Sequence, residues 1–207
     1  IRIASGIKPV IWFSKNKLQL QDLDDKNSKP FSLDFETLDK EKNSNNLLHK
    51  CFSKFDTSLK VFDLTAGFCK DACSIANMGF QVTAYEKESW LFEFNKTCLG
   101  PLKKSNLNLI NLNSIKALKK VTKKDILFLD PMFEINSRAS AKKEIQFLRK
   151  CISSSSEKEI LDAAQKSSAG VIIIKRHKLS NSQNPTKPSY VIKGKVISFE
   201  VFDRRAV

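Results

Sequence analysis

The chain has 207 residues, 41% of them hydrophobic, with 36 Lys and Arg against 22 Asp and Glu and a formal net charge of +14. That length supports one sizeable core with a small appendage, and that charge points to a polyanionic partner, either nucleic acid or an acidic membrane surface. The five cysteines, Cys51, Cys69, Cys73, Cys98 and Cys151, form no CxxC pair, and His49 and His177 are far apart, so the sequence carries no zinc pattern; no apolar stretch approaches membrane-spanning length.

Residues 7–38 hold three short β-like runs, KPVIWFS, KLQLQDL and PFSLDFETL, with DDKNSKP as a turn. Residues 39–58 are polar and then weakly helical, so 1–58 reads as a small N-terminal β-rich region and connector, and 59–207 as the main domain. LKVFDL is a buried strand, and KDACSIANMG is a helix stopped by Gly79. FQVTAYE is the second strand. SWLFEFNKTCLGP is a helix with Trp90, Leu91, Phe94 and Cys98 on one face. LNLINL is a third strand, IKALKKV a short helix and DILFLD a fourth strand. ASAKKEIQFLRKCI sets Ile145, Leu148, Cys151 and Ile152 at helical spacing, and Ser156 with Glu159 has capping-box spacing before ILDAAQK. GVIIIK is the fifth strand; SYVIKG and KVISFEVF follow as a tightly connected antiparallel pair. The loop LSNSQNPTKPS, 179–189, is expected to be mobile and to cover a substrate.

Apolar strands that alternate with helices from 60 to 175 predict an α/β fold with a mostly parallel sheet buried on both faces. Such a sheet binds ligands beyond the C-terminal ends of its strands. Those ends carry Asp63-Leu64-Thr65-Ala66-Gly67, Glu86, Asn113-Ser114, Asp130-Pro131 and Lys175-Arg176. Gly67 permits a tight turn, but DLTAGFCKDA is neither GxGxxG nor a Walker loop, which argues against a pyrophosphate ligand. Glu86, nineteen residues after Gly67, is placed to accept from both hydroxyls of a ribose. S-adenosylmethionine fits best: its sulfonium and ammonium charges suit Asp63 and Asp71, which would repel a diphosphate.

The run VFDLTAGFCKDA…MGFQVTAYEK…NLINLNSIKAL…ILFLDPMF…KKE…VIIIKR resembles the RsmJ family of small-subunit ribosomal RNA guanine-N2 methyltransferases, from about residue 60 to the end of the chain. The resemblance implies a Rossmann-like class I methyltransferase fold with a seven-stranded sheet and an antiparallel last strand. It implies S-adenosylmethionine as cofactor and 16S ribosomal RNA as partner, while the thiols fit a reducing cytoplasm. It also places Lys70, Asp71, Glu86, Lys87, Asn113, Ser114 and Asp130 at the cofactor, beside Asp63 and Gly67. Cys69 stands where the family usually has a second glycine, Lys70 where it has arginine, and EKNSNNLLHK where it has an Arg/Gly-rich segment.

The exocyclic amine of guanine is a poor nucleophile, because its lone pair is delocalised into the ring. A strand-end carboxylate, Asp130, and the carbonyl offered by Pro131 suit its N–H groups, while Phe133 can stack on the base. The tetrapeptide alone reads more readily as a strand end with core side chains, and as a motif it says only planar amine, so adenine N6 stays open as an acceptor. A third reading is a catalytically silent RNA-binding module. Phosphate contacts are expected from Arg138, Lys142, Lys143, Lys175 and Arg176, with Lys178 a further candidate.

Overall fold

The computed structural model describes residues 9–14, 17–23, 25–26, 28–35, 46–131, 146–148, 151, 157–178 and 186–205. Strands β1 (Pro9–Ser14) and β2 (Lys17–Asp22) pair antiparallel in a separate two-stranded sheet. Of the third β-like run, the described residues 30–35 contribute an isolated bridge, Leu20 to Phe31, rather than a strand. Helix α1 (Leu47–Phe52) is capped by Asn46, whose side chain accepts from the His49 amide.

The main sheet contains β3 (Lys60–Asp63), β4 (Gln81–Glu86), β5 (Leu107–Asn111), β6 (Asp125–Leu129), β7 (Val171–His177), β8 (Tyr190–Lys193) and β9 (Ile197–Asp203). Its order is β5-β4-β3-β6-β7-β9-β8. The pairs from β5 through β7 are parallel, and β9 runs antiparallel to both β7 and β8. Helices α2 (Lys70–Asn77), α3 (Ser89–Leu99) and α4 (Glu157–Lys166) form the crossovers together with two 3₁₀ turns, Gly100–Leu102 and Ser114–Lys120. Helix α2 ends where expected, since Gly79 takes φ 97°, a left-handed value that arrests the helix at little cost for glycine. IKALKKV, expected as a short helix, is 3₁₀. Of the helix expected over 139–152, residues 146–148 and Cys151 are described and helical. Met132, Phe133, Arg138, Lys142, Lys143, the serine run and residues 179–185 lie outside the described residues.

The apolar strands divide their side chains between two cores. In β6, Ile126 and Phe128 face one core and Leu127 and Leu129 the other; in β7, Val171 and Ile173 alternate with Ile172 and Ile174 in the same way. The first core also takes in Leu48, Phe52, Ala72, Cys73, Leu91 and Phe94 from α1–α3, together with Leu20, Leu33 and Phe35 from the N-terminal region. The second is covered by Ala117 and Val121 and by Ile160, Leu161 and Ala164 of α4. Among the described residues no helix is long and apolar enough to cross a membrane.

Candidate active site

Strand parity carries the first-core face past the apolar run and onto the polar strand ends. Val61 precedes Asp63, Ala84 precedes Glu86, Phe128 precedes Asp130 and Ile173 precedes Lys175 by two residues each, and all four apolar residues lie in the first core. Asp63, Glu86, Asp130 and Lys175 therefore leave the sheet on the side where α2 begins with Lys70 and Asp71. Glu86 ends β4 and Asp130 directly follows β6, the two strands that flank β3. The chain turns outward in both directions from β3, so this edge is the topological switch point of the sheet.

The loops at this edge are tied to one another. Thr65 Oγ1 accepts from the Asp130 amide at 2.7 Å, and the Ser114 hydroxyl donates to the Leu64 carbonyl at 2.8 Å. Asp63 accepts from the Thr65 amide at 3.0 Å. Lys175 Nζ donates to Asp71 at 2.6 Å and to Asp130 at 2.8 Å, joining α2, the end of β6 and β7 in one charged cluster. Gly67 takes φ 50°, and Cys69 takes φ 56° with its side chain fully buried in the first core. That left-handed backbone is one a glycine adopts without strain, and Cys69 adopts it here. Burial also pushes the Cys69 thiol well up, so it stays neutral.

Burial raises the Asp63 carboxyl to about 8, against the opposing Thr65 hydrogen bond, with Asp71 and Asp130 adding to the rise. Burial likewise raises Glu86 to about 7, although the amides of Glu88 and Gly67 donate to it. Lys175 stands above its ordinary value: burial works against the ammonium, but Asp71 and Asp130 outweigh it. Carboxyls that hold protons more tightly when folded favour folding at low pH. The Asp63 contribution is complete below its ordinary value of 3.8 and is lost as pH rises toward about 8. Asp63→Asn keeps an oxygen for the Thr65 amide and removes the buried charge. At pH 8 it is expected to raise the thermal midpoint by about 2–4 °C per kcal/mol relieved, with no gain near pH 4. Thermal melts across that range check this, and an unchanged midpoint at the alkaline end would rule out a strained carboxylate.

The expected site residues divide into three groups. Asp63, Gly67, Asp71, Glu86 and Asp130 gather at one edge, with Lys70 at the start of α2 and Pro131 buried beside Asp130. Lys87 and Asn113 are exposed, the Asn113 side chain caps the 3₁₀ turn by accepting from the Ile115 amide, and Ser114 is buried on its own tie to Leu64. Lys175 and Arg176, expected at phosphates, are placed otherwise. Lys175 is held by carboxylates, and Arg176, on the opposite parity of β7, is 4% exposed with Nε donating to Glu200. Sequence reasoning missed Asn95. This fully buried residue of α3 donates from Nδ2 to the Gly67 carbonyl at 2.6 Å, so the Gly67 peptide is held by Asn95 on one side and Glu86 on the other. A polar residue on the apolar face of LFEFN was the available signal. Among the described residues, no group of three His, Cys, Asp or Glu is arranged to hold a metal ion.

A model of the family described as "Putative SAM-dependent methyltransferase" matches residues 3–204. The ribosomal RNA small subunit methyltransferase J of Buchnera aphidicola is 26% identical over 208 aligned residues, covering 91% of this chain and 84% of that protein. The protein of the same name from Coxiella burnetii is 29% identical over 151 residues, covering 69% of this chain and 59% of its own length. Among solved structures, a SAM-dependent methyltransferase from Neisseria gonorrhoeae superposes with a TM-score of 0.69 at 19% identity, over 97% of this chain and 85% of that one, a likeness of fold.

Proposed function

Because the chain belongs to the SAM-dependent methyltransferase family, we propose that it transfers a methyl group to the exocyclic N2 amine of a guanosine in 16S ribosomal RNA. The observation that carries the reading is the placement of Asp130-Pro131 at the end of β6, across β3 from Glu86, on one edge of the sheet. The names of the Buchnera and Coxiella relatives support small-subunit ribosomal RNA as the substrate class.

The residues fit the cofactor. Glu86, fixed by the Glu88 amide at 2.8 Å, would take the ribose hydroxyls; the turn at Gly67 would lie along it, and Asp71 would balance its positive charges, with the raised Asp63 carboxyl ionising as the cationic cofactor binds. S-adenosylmethionine supplies a sulfonium-bound methyl group of high electrophilicity. The chain supplies orientation: Asp130 accepts from one N–H of the acceptor amine and the Pro131 carbonyl from the other, aligning the lone pair. Phe133 is proposed to stack on the base. Lys70, Lys87, Asn113 and Ser114 complete the proposed cofactor shell, the last through the Leu64 carbonyl that it holds.

For the RNA backbone, Arg138, Lys142 and Lys143 remain the proposed contacts. Exposed Lys116, Lys119, Lys120, Lys123 and Lys124 add a basic stripe along the segment between β5 and β6. In the same reading, residues 59–207 form the catalytic domain, 1–58 is its appendage, and the protein works in the cytoplasm.

The test is transfer of a labelled methyl group to small-subunit ribosomal RNA, followed by nucleoside identification. N2-methylguanosine is the expected product. N6-methyladenosine would reassign the acceptor, and retained RNA binding without transfer would favour the silent module.

A further inference from the structure

We propose that Lys175 is a positioning residue of the reaction: its ammonium clamps Asp71 and Asp130 together and aims the Asp130 carboxylate at the acceptor amine. The inference rests on the reading of Asp130 just given.

Lys175 Nζ lies 2.6 Å from Asp71 and 2.8 Å from Asp130, two charge-assisted hydrogen bonds on one ammonium. The Asp130 backbone is separately held by Thr65 Oγ1 at 2.7 Å. Main chain and side chain of the same residue are thus fixed from two different segments, the turn after β3 and strand β7. The groups facing the clamp are Asp63 from β3, Asp71 from α2 and Asp130 from the end of β6; on β9 the register partner of Lys175 is Phe199, which does not titrate. Two carboxylates, Asp71 and Asp130, therefore share one cation, with the buried Asp63 carboxyl beside them. A structural ion pair needs only one carboxylate. A site that receives a cationic cofactor needs the surplus, and it also needs one fixed charge to keep the accepting carboxylate ionised before the ligands arrive. Lysine suits the clamp because its ammonium is a compact point charge with three donors, enough to reach two acceptors at once.

Lys175→Met keeps the length of the side chain and removes the charge. The single-turnover rate should fall at least about tenfold, and the acidic limb of its pH profile should move upward by about one pH unit. In the ligand-free protein, the ¹³C-carboxyl titration of Asp130 should move to higher pH. RNA affinity and its salt dependence should stay at wild-type values. Lys175→Arg keeps the charge and should leave both pH readouts in place. Asp71→Asn should move them to lower pH, since Asp130 then has the ammonium to itself; this variant also decides the matter if Lys175→Met does not fold. Weakened RNA binding, with a salt slope reduced by about 0.7–0.9 and an unmoved Asp130 titration, would instead make Lys175 a phosphate ligand. A wild-type protein that methylates no RNA would overturn the function reading, while the carboxyl titration would still report on the clamp.

Discussion

Asp130→Ala is expected to lower methyl transfer by about 10²–10⁴-fold while RNA affinity stays within about twofold. The size follows from what the residue does in the proposed reaction. The guanine amine becomes nucleophilic only as it pyramidalises, and a carboxylate accepting from its N–H group stabilises that geometry in the transition state more than in the ground state. The substitution leaves Lys175 on Asp71, and the Thr65 hydroxyl loses its amide partner only if the backbone moves, so the fold should survive. Asp130→Asn separates charge from shape: if the negative charge matters, it should fall nearly as far as alanine. Single-turnover measurements with excess enzyme check both variants, and a rate near wild type in either would remove Asp130 from the chemistry.

The second large effect belongs to the cofactor. Glu86→Gln retains an oxygen for the Glu88 and Gly67 amides but loses the charge that strengthens bonds to ribose hydroxyls. Hydrogen bonds to charged groups are worth about 1.5–3 kcal/mol, so affinity for S-adenosylmethionine should weaken by about 10–150-fold with RNA binding unchanged. In the wild type the carboxyl stands near 7, raised by burial. Cofactor affinity should therefore fall as pH drops below that value, because the protonated group is a poorer acceptor, and Glu86→Gln should be flat over the same interval. Equilibrium binding at several pH values measures both effects. Equal affinity in the two proteins would count against the ribose assignment.

Fold and site were legible in the sequence to different extents. DILFL and VIII carry apolar side chains on both faces, and only a strand buried on both faces uses such a run; the structure divides each between two cores. Glu86 and Asp130 were readable because a carboxylate directly after an apolar strand lands on the sheet edge. In the described part of the third β-like run, residues 30–35, Phe31 makes an isolated bridge to Leu20 and no strand forms. IKALKKV has helical spacing, yet the short crossover into β6 tightens it to 3₁₀. Arg176 was misjudged because adjacent residues on a strand point to opposite faces. Lys175 takes the face of α2, and Arg176 takes the other, where it is buried against Glu200.

By itself the sequence determined the alternation of strands and helices, the apolar rows and the residues that stand at strand ends, because all of these depend on local period and neighbouring positions. The tertiary structure alone decided the partners. Lys175 meets Asp71 across 104 residues and Asp130 across 45, and Asn95 holds Gly67 across 28. No spacing rule spans such distances. They are set by strand order and register, which bring distant segments within hydrogen-bond reach only once the sheet has closed on its helices.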